Sequence, residues 1–275
     1  MTNDFNQQII DEFRANAGQV GAFEGARLLL LTTTGARTGA RRTTPLGYLP
    51  DGDRMLVIAS AMGAPTHPAW YHNLLAHPRV TVEDGVFTYE ADAVVLEGEE
   101  RDRLFDRAVE ADPGWGAYQA RTSRVIPVVA LHPIHDGPPA GPMGEVLRKI
   151  HGSFRRELAL IRKEVAASGP GIGAQLRVNC LSLCQGLHHH HMGEDTMMFP
   201  SLEARHPELA PAMKRLREEH EVVARLLARL QELLADDGLD RDTLVAGVDE
   251  LTKEVEAHLD YEEEQLIPIL NGGVR

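Results

Sequence analysis

Apolar and polar positions follow two different rhythms along the chain, and the change falls near residue 135. Before it, short runs rich in Leu, Val, Ile and Thr are separated by turn residues. RLLLLTTT (27–34), TTPLGYL (43–49) and RMLVIAS (54–60) predict strands, with Asp51-Gly52 turning the second into the third. Residues 79–83 and 86–96 predict a hairpin around Asp84-Gly85, and RVIPVVALH (124–132) predicts a last strand. Three helices are expected: an amphipathic segment over 4–16, a short one over 68–76 between Pro68 and Pro78, and a charged one over 98–111. Short strands, tight turns and a few helices predict a small barrel with helices over its ends.

After residue 135 the strand pattern stops. Four long apolar-periodic segments follow, at about 143–167, 174–198, 207–236 and 241–266, separated by SGPGIG, by HP and by DDGLD. Helices of this length with short connections predict an up-down-up-down four-helix bundle. The segment HDGPPAGP (135–142) holds three prolines and two glycines, which continue neither a helix nor a central strand. The expected organisation is therefore two domains: an α+β barrel over 1–134, a linker over 135–142 and an all-α bundle over 143–275.

Tracing the inner stripe of each helix by alternate steps of four and three places polar residues where hydrocarbon belongs. The first helix gives Leu147, His151, Phe154 and Leu158. The second gives Leu183, Leu187, His190, Glu194 and Met197, the third Leu216, His220 and Val223, and the fourth Val255, His258 and Glu262. Burying uncompensated charge costs several kcal/mol per group, so something must compensate. A few core histidines bonded to polar neighbours is the plain alternative. Six seam positions in a repeated pattern favour a metal centre, and imidazole with carboxylate suits iron, manganese or zinc. His190 and Glu194, like His258 and Glu262, are four apart on one helical face, so both can reach one ion. HHMGEDTMMFP (190–200) and HLDYEEEQLIP (258–268) align without a gap, each with a proline six residues after the glutamate. Such a two-fold arrangement would set two metals side by side with Glu194 and Glu262 free to bridge them. His188, His189 and His191 fall off the traced stripe and are expected to be solvated or to lie behind the ligands. Cys180 and Cys184 are expected to pack as small core residues, a redox pair being the alternative.

Residues 143–270 resemble the hemerythrin-like HHE cation-binding domains, on His151, on HHxxED followed by FP, on EEH at 218–220, and on HxxxEE followed by IP. The resemblance implies a non-haem di-iron centre, two iron ions held by His151, His190, Glu194, His220, His258 and Glu262, that meets oxygen, peroxide or nitric oxide. Oxygen-carrying members have a second histidine four residues after the third-helix ligand. That position is Ala224 here. Six ligands instead of seven suit catalysis or sensing better than reversible oxygen carriage.

In the first half, GARTGARR (35–42) gathers Arg37, Arg41 and Arg42 between two strands. Glycines admit close backbone approach and guanidinium forks match phosphate oxygens, although composition alone favours a solvated turn. In HPAWYHNLLAHP (67–78), Trp70, Tyr71 and Asn73 either position a flat ring or cap the barrel. Residues 27–134 resemble the deazaflavin-dependent nitroreductase family. The matching stretches are LLLTTTGARTGARRTTPLGYL, MLVIASAMGAPTHPAWYHNLLAHPRVTV, EGEERDRLFDRAV and AYQARTSRVIPVVAL. The resemblance implies a split β-barrel that binds coenzyme F-420, a deazaflavin hydride carrier. It implies that Arg37, Thr38 and Arg42 hold the phosphate-bearing tail, with Pro45 among the contacts. Ile58, Ala59, Ser60 and Ala61 would line the ring, Trp70, Tyr71 and Asn73 would complete the pocket, and Ser60 and Tyr118 would serve the reaction. Ala36 stands where many relatives carry a basic residue, and Trp115 falls where relatives vary, so acceptor choice does not transfer.

Charge and cysteine content narrow the surroundings. A net charge of −13 argues against nucleic acid as a partner. Two cysteines exclude a disulfide framework and suit a cytoplasmic protein. No apolar run approaches the ~20 residues of a bilayer span, and the N-terminal helix is expected either to touch a membrane surface or to act as a lid. Taken together, the two resemblances imply an F-420-dependent oxidoreductase acting on oxygen, peroxide, nitric oxide, a quinone or a nitro compound. Two other readings stand beside it. In one, a sensing or binding bundle accompanies an independent quinone or nitro reductase. In the other, the barrel has lost its coenzyme and serves as a homodimer scaffold.

Overall fold

The computed structural model describes residues 2–134, 142–168, 172–236, 238 and 240–272. The chain splits into two compact units, Met1–Pro138 and Pro139–Arg275. The expected linker, 135–142, lies outside the described residues except for Pro142.

The first unit contains β1 (Leu28–Thr34), β2 (Arg41–Asp51), β3 (Arg54–Ile58), β4 (Arg79–Glu83), β5 (Thr88–Val95) and β6 (Val128–Pro133). All neighbouring pairs are antiparallel, and they close into a barrel in the order β1-β2-β3-β6-β5-β4. Side chains alternate across each strand, and β1 is covered on both faces. Leu29 and Leu31 of β1 point into the barrel with Val57, Val80, Val82, Val129 and Leu131. Leu30 points outward onto Ile9, Ile10 and Phe13 of α1 (Thr2–Ala15). This double burial explains the unbroken leucine run of β1. It also settles where the apolar face of α1 goes. That face packs on the barrel wall, and Phe5 alone of its large apolar residues stays exposed.

Three further helices dress the barrel: α2 (Ala69–Ala76), α3 (Gly98–Ala111) and α4 (Gly114–Ala120). Leu56, Ile58, Val128 and Ala130 bury outward against Leu104, Phe105 and Ala108 of α3. No sequence pattern announces α4, whose GWGAYQA carries two glycines. It forms because Asp112 Oδ1 accepts from the N–H of Gly114 at 2.8 Å and because Trp115 and Tyr118 pack on the α3 cluster. The last strand starts at Val128, four residues later than expected, since 124–127 braces the loop after β3 instead.

The second unit holds α5 (Met143–Ala167), α6 (Ala174–Gly193), α7 (Phe199–Arg205), α8 (Ala210–Ala235) and α9 (Arg241–Leu270). Between α6 and α7, Glu194–Met198 forms a π-helical turn in which the Phe199 N–H bonds to the Glu194 carbonyl. One apolar cluster fills the α6 N-terminal end with Leu158, Ile161, Leu183, Leu187, Leu227 and Leu251. A second gathers Leu147, Phe199, Leu202, Met213, Leu216 and Leu266. Along each helix the polar seam residues fall between the two clusters. The π turn overturns the traced stripe beyond Glu194. A π turn adds a residue to the helical period and rotates the residues beyond it, so Met197 is 72% exposed and Phe199 is buried in its place.

Candidate functional site

In the barrel, the β1–β2 connection closes on itself. The N–H of Gly35 donates to the Ala40 carbonyl at 2.9 Å, and that of Gly39, at φ +67, donates to the Gly35 carbonyl at 2.8 Å. Thr38 Oγ1 accepts from the Ala40 N–H at 3.3 Å. Asn73 of α2 pins the loop, accepting from the Ala36 N–H at 3.1 Å and donating to Thr33 Oγ1 at 3.0 Å. Arg41 donates to Thr81 at 2.7 Å. Arg37 and Arg42 are exposed, and their guanidinium groups have no partner among the described residues. Pro45, opposite Leu30, lies in the stretch of β2 that pairs only with β1.

A second loop follows β3. Ala61, Met62 and Gly63 all take positive φ, at 45°, 53° and 79°. Two non-glycine residues in that region are strained, and such strain persists only where the surroundings impose it. Arg124 imposes it. Its guanidinium donates to the carbonyls of Ser60 at 2.6 Å, Ala59 at 3.2 Å and Ala64 at 2.9 Å, and meets His67 Nδ1 at 3.0 Å. The Ala59 N–H donates to the Pro127 carbonyl. At Gly63 a Cβ would lie 2.8 Å from the Tyr118 carbonyl oxygen, so the loop rests directly on α4. The structure thus brings Ile58, Ala59, Ser60 and Ala61 beside the helix that carries Tyr118. Trp70 is buried in the barrel core with Leu29 and Leu74. Tyr71 is half-buried, 4.8 Å from the ring of His67, and burial raises its pKa. Sequence reasoning missed Arg124 and His67, which no motif spacing distinguishes from other surface charges.

In the bundle, His151, His220, His258, Glu194 and Glu262 are buried, and the His190 side chain is 9% exposed. The Nε2 atoms of His151 and His190 face each other at 3.2 Å. Glu262 Oε2 lies 3.4 Å from His151 Nε2 and 3.7 Å from His258 Nε2. Glu194 turns one oxygen to His190 at 3.2 Å and the other to His220 at 3.5 Å. Both glutamates therefore span the two halves of the seam. Among the described residues, two groups of donor atoms come within 4.8 Å of one another: His151, His190, Glu194 and Glu262, and His191, His220 and His258.

Of the two positions expected for the flanking histidines, the solvated one holds for His188 and His189, which are on the surface, and not for His191, which is 5% exposed. The signal was Leu187, four residues earlier, on a buried stripe that also includes Leu183 and Cys184 and is wider than the one traced.

Behind the seam stand three acidic residues that sequence reasoning did not single out. His151 Nδ1 meets Glu263, His220 Nδ1 meets Asp195, and His258 Nδ1 meets Glu219, each at 3.0 Å. A carboxylate there keeps the proton on Nδ1 and turns the Nε2 lone pair inward. Burial pushes His190 down to about 3 and also lowers His191 and His258, so these imidazoles stay neutral. Burial and the charge of Glu262 raise Glu194 well above the usual carboxylate range. The buried atoms left without a hydrogen-bond partner include both oxygens of Glu194, both of Glu262, and Nε2 of His191, His220 and His258. Neutral imidazoles and crowded carboxylates with orphaned donor atoms fit a cation, which would relieve all of them together.

Cys180 and Cys184 are both buried and unbridged. Among the described residues, no helix is long and apolar enough to cross a membrane.

Compared with known proteins, residues 6–133 match the family described as F420H(2)-dependent quinone reductase. Residues 143–270 match the hemerythrin HHE cation binding domain. The first stretch is 42% identical over 124 residues to the F420H(2)-dependent quinone reductase Rv1261c of Mycobacterium tuberculosis, covering 43% of this chain and 83% of that protein. A solved structure described as an F420-H2 dependent reductase (FDR-A) is 42% identical, covers 38% of this chain and 93% of its own, and gives a TM-score of 0.36. Another, described as a domain-swapped dimer, is 36% identical, covers 48% of this chain and 99% of its own, and gives 0.38.

Proposed function

Since the chain belongs, through its first half, to the F420H(2)-dependent quinone reductase family and carries a hemerythrin HHE domain in its second, we propose that it is an oxidoreductase that joins hydride chemistry in the barrel to a di-iron centre in the bundle. Coenzyme F-420, when bound, supplies a hydride, that is, two electrons and a proton. The guanidiniums of Arg37 and Arg42, unpartnered among the described residues, hold its phosphate-bearing tail, on a loop that Thr38 and Asn73 keep closed and that Pro45 borders. Ile58, Ala59, Ser60 and Ala61 line the ring, with Trp70 and Tyr71 behind. Tyr118 donates a hydrogen bond to the acceptor. The acceptor class at the barrel is a quinone or nitro compound.

In the bundle, an iron pair, when bound, supplies a two-electron store and open positions for oxygen, peroxide or nitric oxide. His151 and His190 would hold one ion and His220 and His258 the other, with Glu194 and Glu262 placed between the two sets of histidines. The observation that carries this reading is the buried set of carboxylate and imidazole atoms without hydrogen-bond partners. A hydride and an iron pair both handle two electrons, so the stoichiometry of transfer from barrel to bundle closes.

The test is anaerobic mixing of the iron-loaded full chain with reduced F-420, following the visible band of the ferric centre. Bleaching at the rate of F-420 oxidation is the expected result. A ferric band that stays unchanged while the coenzyme binds and is oxidised by an added quinone would leave two independent modules and overturn the joint function.

A further inference from the structure

We infer that His191 is a metal ligand, so that α6 hands adjacent histidines to different ions: His190 to the one faced by His151, and His191 to the one faced by His220 and His258. The inference rests on the two-ion reading above and adds to it a residue outside the repeat.

The argument starts from burial. An imidazole sealed from water with an unpaired ring nitrogen forfeits its hydration without compensation. His191 is 5% exposed, and its Nε2 has no hydrogen-bond partner. Two other orphaned Nε2 atoms, those of His220 and His258, belong to the same group of donor atoms, all within 4.8 Å of one another. The His191 ring stacks on His220 at 4.1 Å with 13° between the planes, and stands edge-on to His258 at 5.0 Å and 86°. Three buried ring nitrogens that converge on one small region, with no hydrogen-bond partner among the described residues, form a cation site. The alternative, an imidazole that only fills space, gives no reason for a polar side chain at this position. In the aligned repeat the equivalent of His191 is Leu259, which is fully buried in the apolar cluster.

The two ions are then chemically unequal. One has two imidazoles and the other three, with Glu194 and Glu262 within reach of both. Ala224, where a second third-helix histidine was sought, leaves no deficit, because the neighbouring helix fills it.

The test uses the full chain loaded anaerobically with cobalt(II), read by metal analysis and by the hyperfine-shifted exchangeable N–H signals of bound imidazoles. The wild-type chain is expected to hold two ions and show five such signals. His191→Leu, which copies Leu259 and keeps the packing, and His191→Gln are each expected to show four, with at least tenfold weaker binding of one ion. His189→Ala is expected to match wild type. Five signals in both His191 variants, with unchanged affinity, would overturn the assignment. A wild-type chain that holds one ion would overturn the two-ion reading alone, because loss of a signal in the His191 variants would still identify the ligand. A chain that holds none would overturn both.

Discussion

Nδ1 of His151 and a carboxylate oxygen of Glu263 lie 3.0 Å apart, although 112 positions separate the two residues. His220 and Asp195 stand in the same relation at the same distance. Glu263 and Asp195 each follow the glutamate of one copy of the repeat, so each copy supplies a ligand and, one residue on, the acid that orients a histidine of the other half. Arg155 bonds Glu263 in turn at 2.6 Å. Outer carboxylates of this kind typically contribute 10–100-fold to metal affinity. Glu263→Gln and Asp195→Asn are each expected to weaken iron binding by about that factor, read by competition with a chelator. Unchanged affinity would mean that these bonds only staple helices together.

Arg124 holds the strained loop after β3 through three carbonyl groups. Arg124→Ala is expected to lower the stability of the barrel by about 2 kcal/mol, allowing for the half-exposed position of the side chain. Arg124→Lys keeps the charge but not the planar fork and is expected to weaken F-420 binding with little change in fold. Denaturant titration and coenzyme titration of the full chain separate the two effects. Equal coenzyme affinity in Arg124→Lys would mean that the loop keeps its shape without the fork.

Gly39 and Gly63 make a controlled pair. Both have positive φ, but a Cβ at Gly39 meets nothing within 4 Å, whereas at Gly63 it meets the Tyr118 carbonyl oxygen at 2.8 Å and Arg121 Cβ at 2.9 Å. Gly39→Ala is expected to cost about 1 kcal/mol, from backbone strain alone. Gly63→Ala should cost more, about 2–3 kcal/mol, and should shift α4. Equal unfolding midpoints for the two variants would contradict the contact between loop and helix.

Burial pushes the Cys184 thiol up to about 12. A thiol released by unfolding ionises near pH 8.5, so between that value and about 12 the unfolded state gives up a proton that the folded state keeps. This contribution to stability is whole below pH 8.5 and is lost as the pH rises toward 12. The native chain at pH 8 is therefore expected to leave Cys184 unlabelled by a thiol reagent over hours, with labelling in seconds after denaturant is added. Fast native labelling at Cys184 would bring back the redox-pair alternative.

Periodicity carried the architecture further than it carried the side-chain detail. The alternation in β1 and the charged stripe of α3 locate the barrel elements because each obeys a single period. The seam histidines are legible for the same reason. His191 and Met197 are not, because a stripe traced in steps of four and three is one residue wide and assumes an unbroken α period. The helix α4 is invisible to propensity, since its stability comes from Trp115 and Tyr118 packing on residues near Phe105. Arg124 acts through carbonyl groups some sixty positions away in sequence, and a backbone acceptor leaves no mark in the amino-acid code.

The π turn at 194–198 gives two equal spellings unequal phases. HHMGEDTMMFP and HLDYEEEQLIP keep the same intervals letter by letter, yet Pro268 stays inside a continuous α9 while Pro200 opens a separate helix. Deleting one residue between Thr196 and Met198 would shorten the turn to an ordinary α period and leave Phe199 in the core, because the π turn only spreads one residue more over the same angle. The reading frame of this helix is thus set by angle as well as by count. Removing a residue inside the turn therefore spares both the ligands before it and the core beneath them, whereas one removed from the continuous α9 past Glu262 turns Leu266 and Ile267 out of the core.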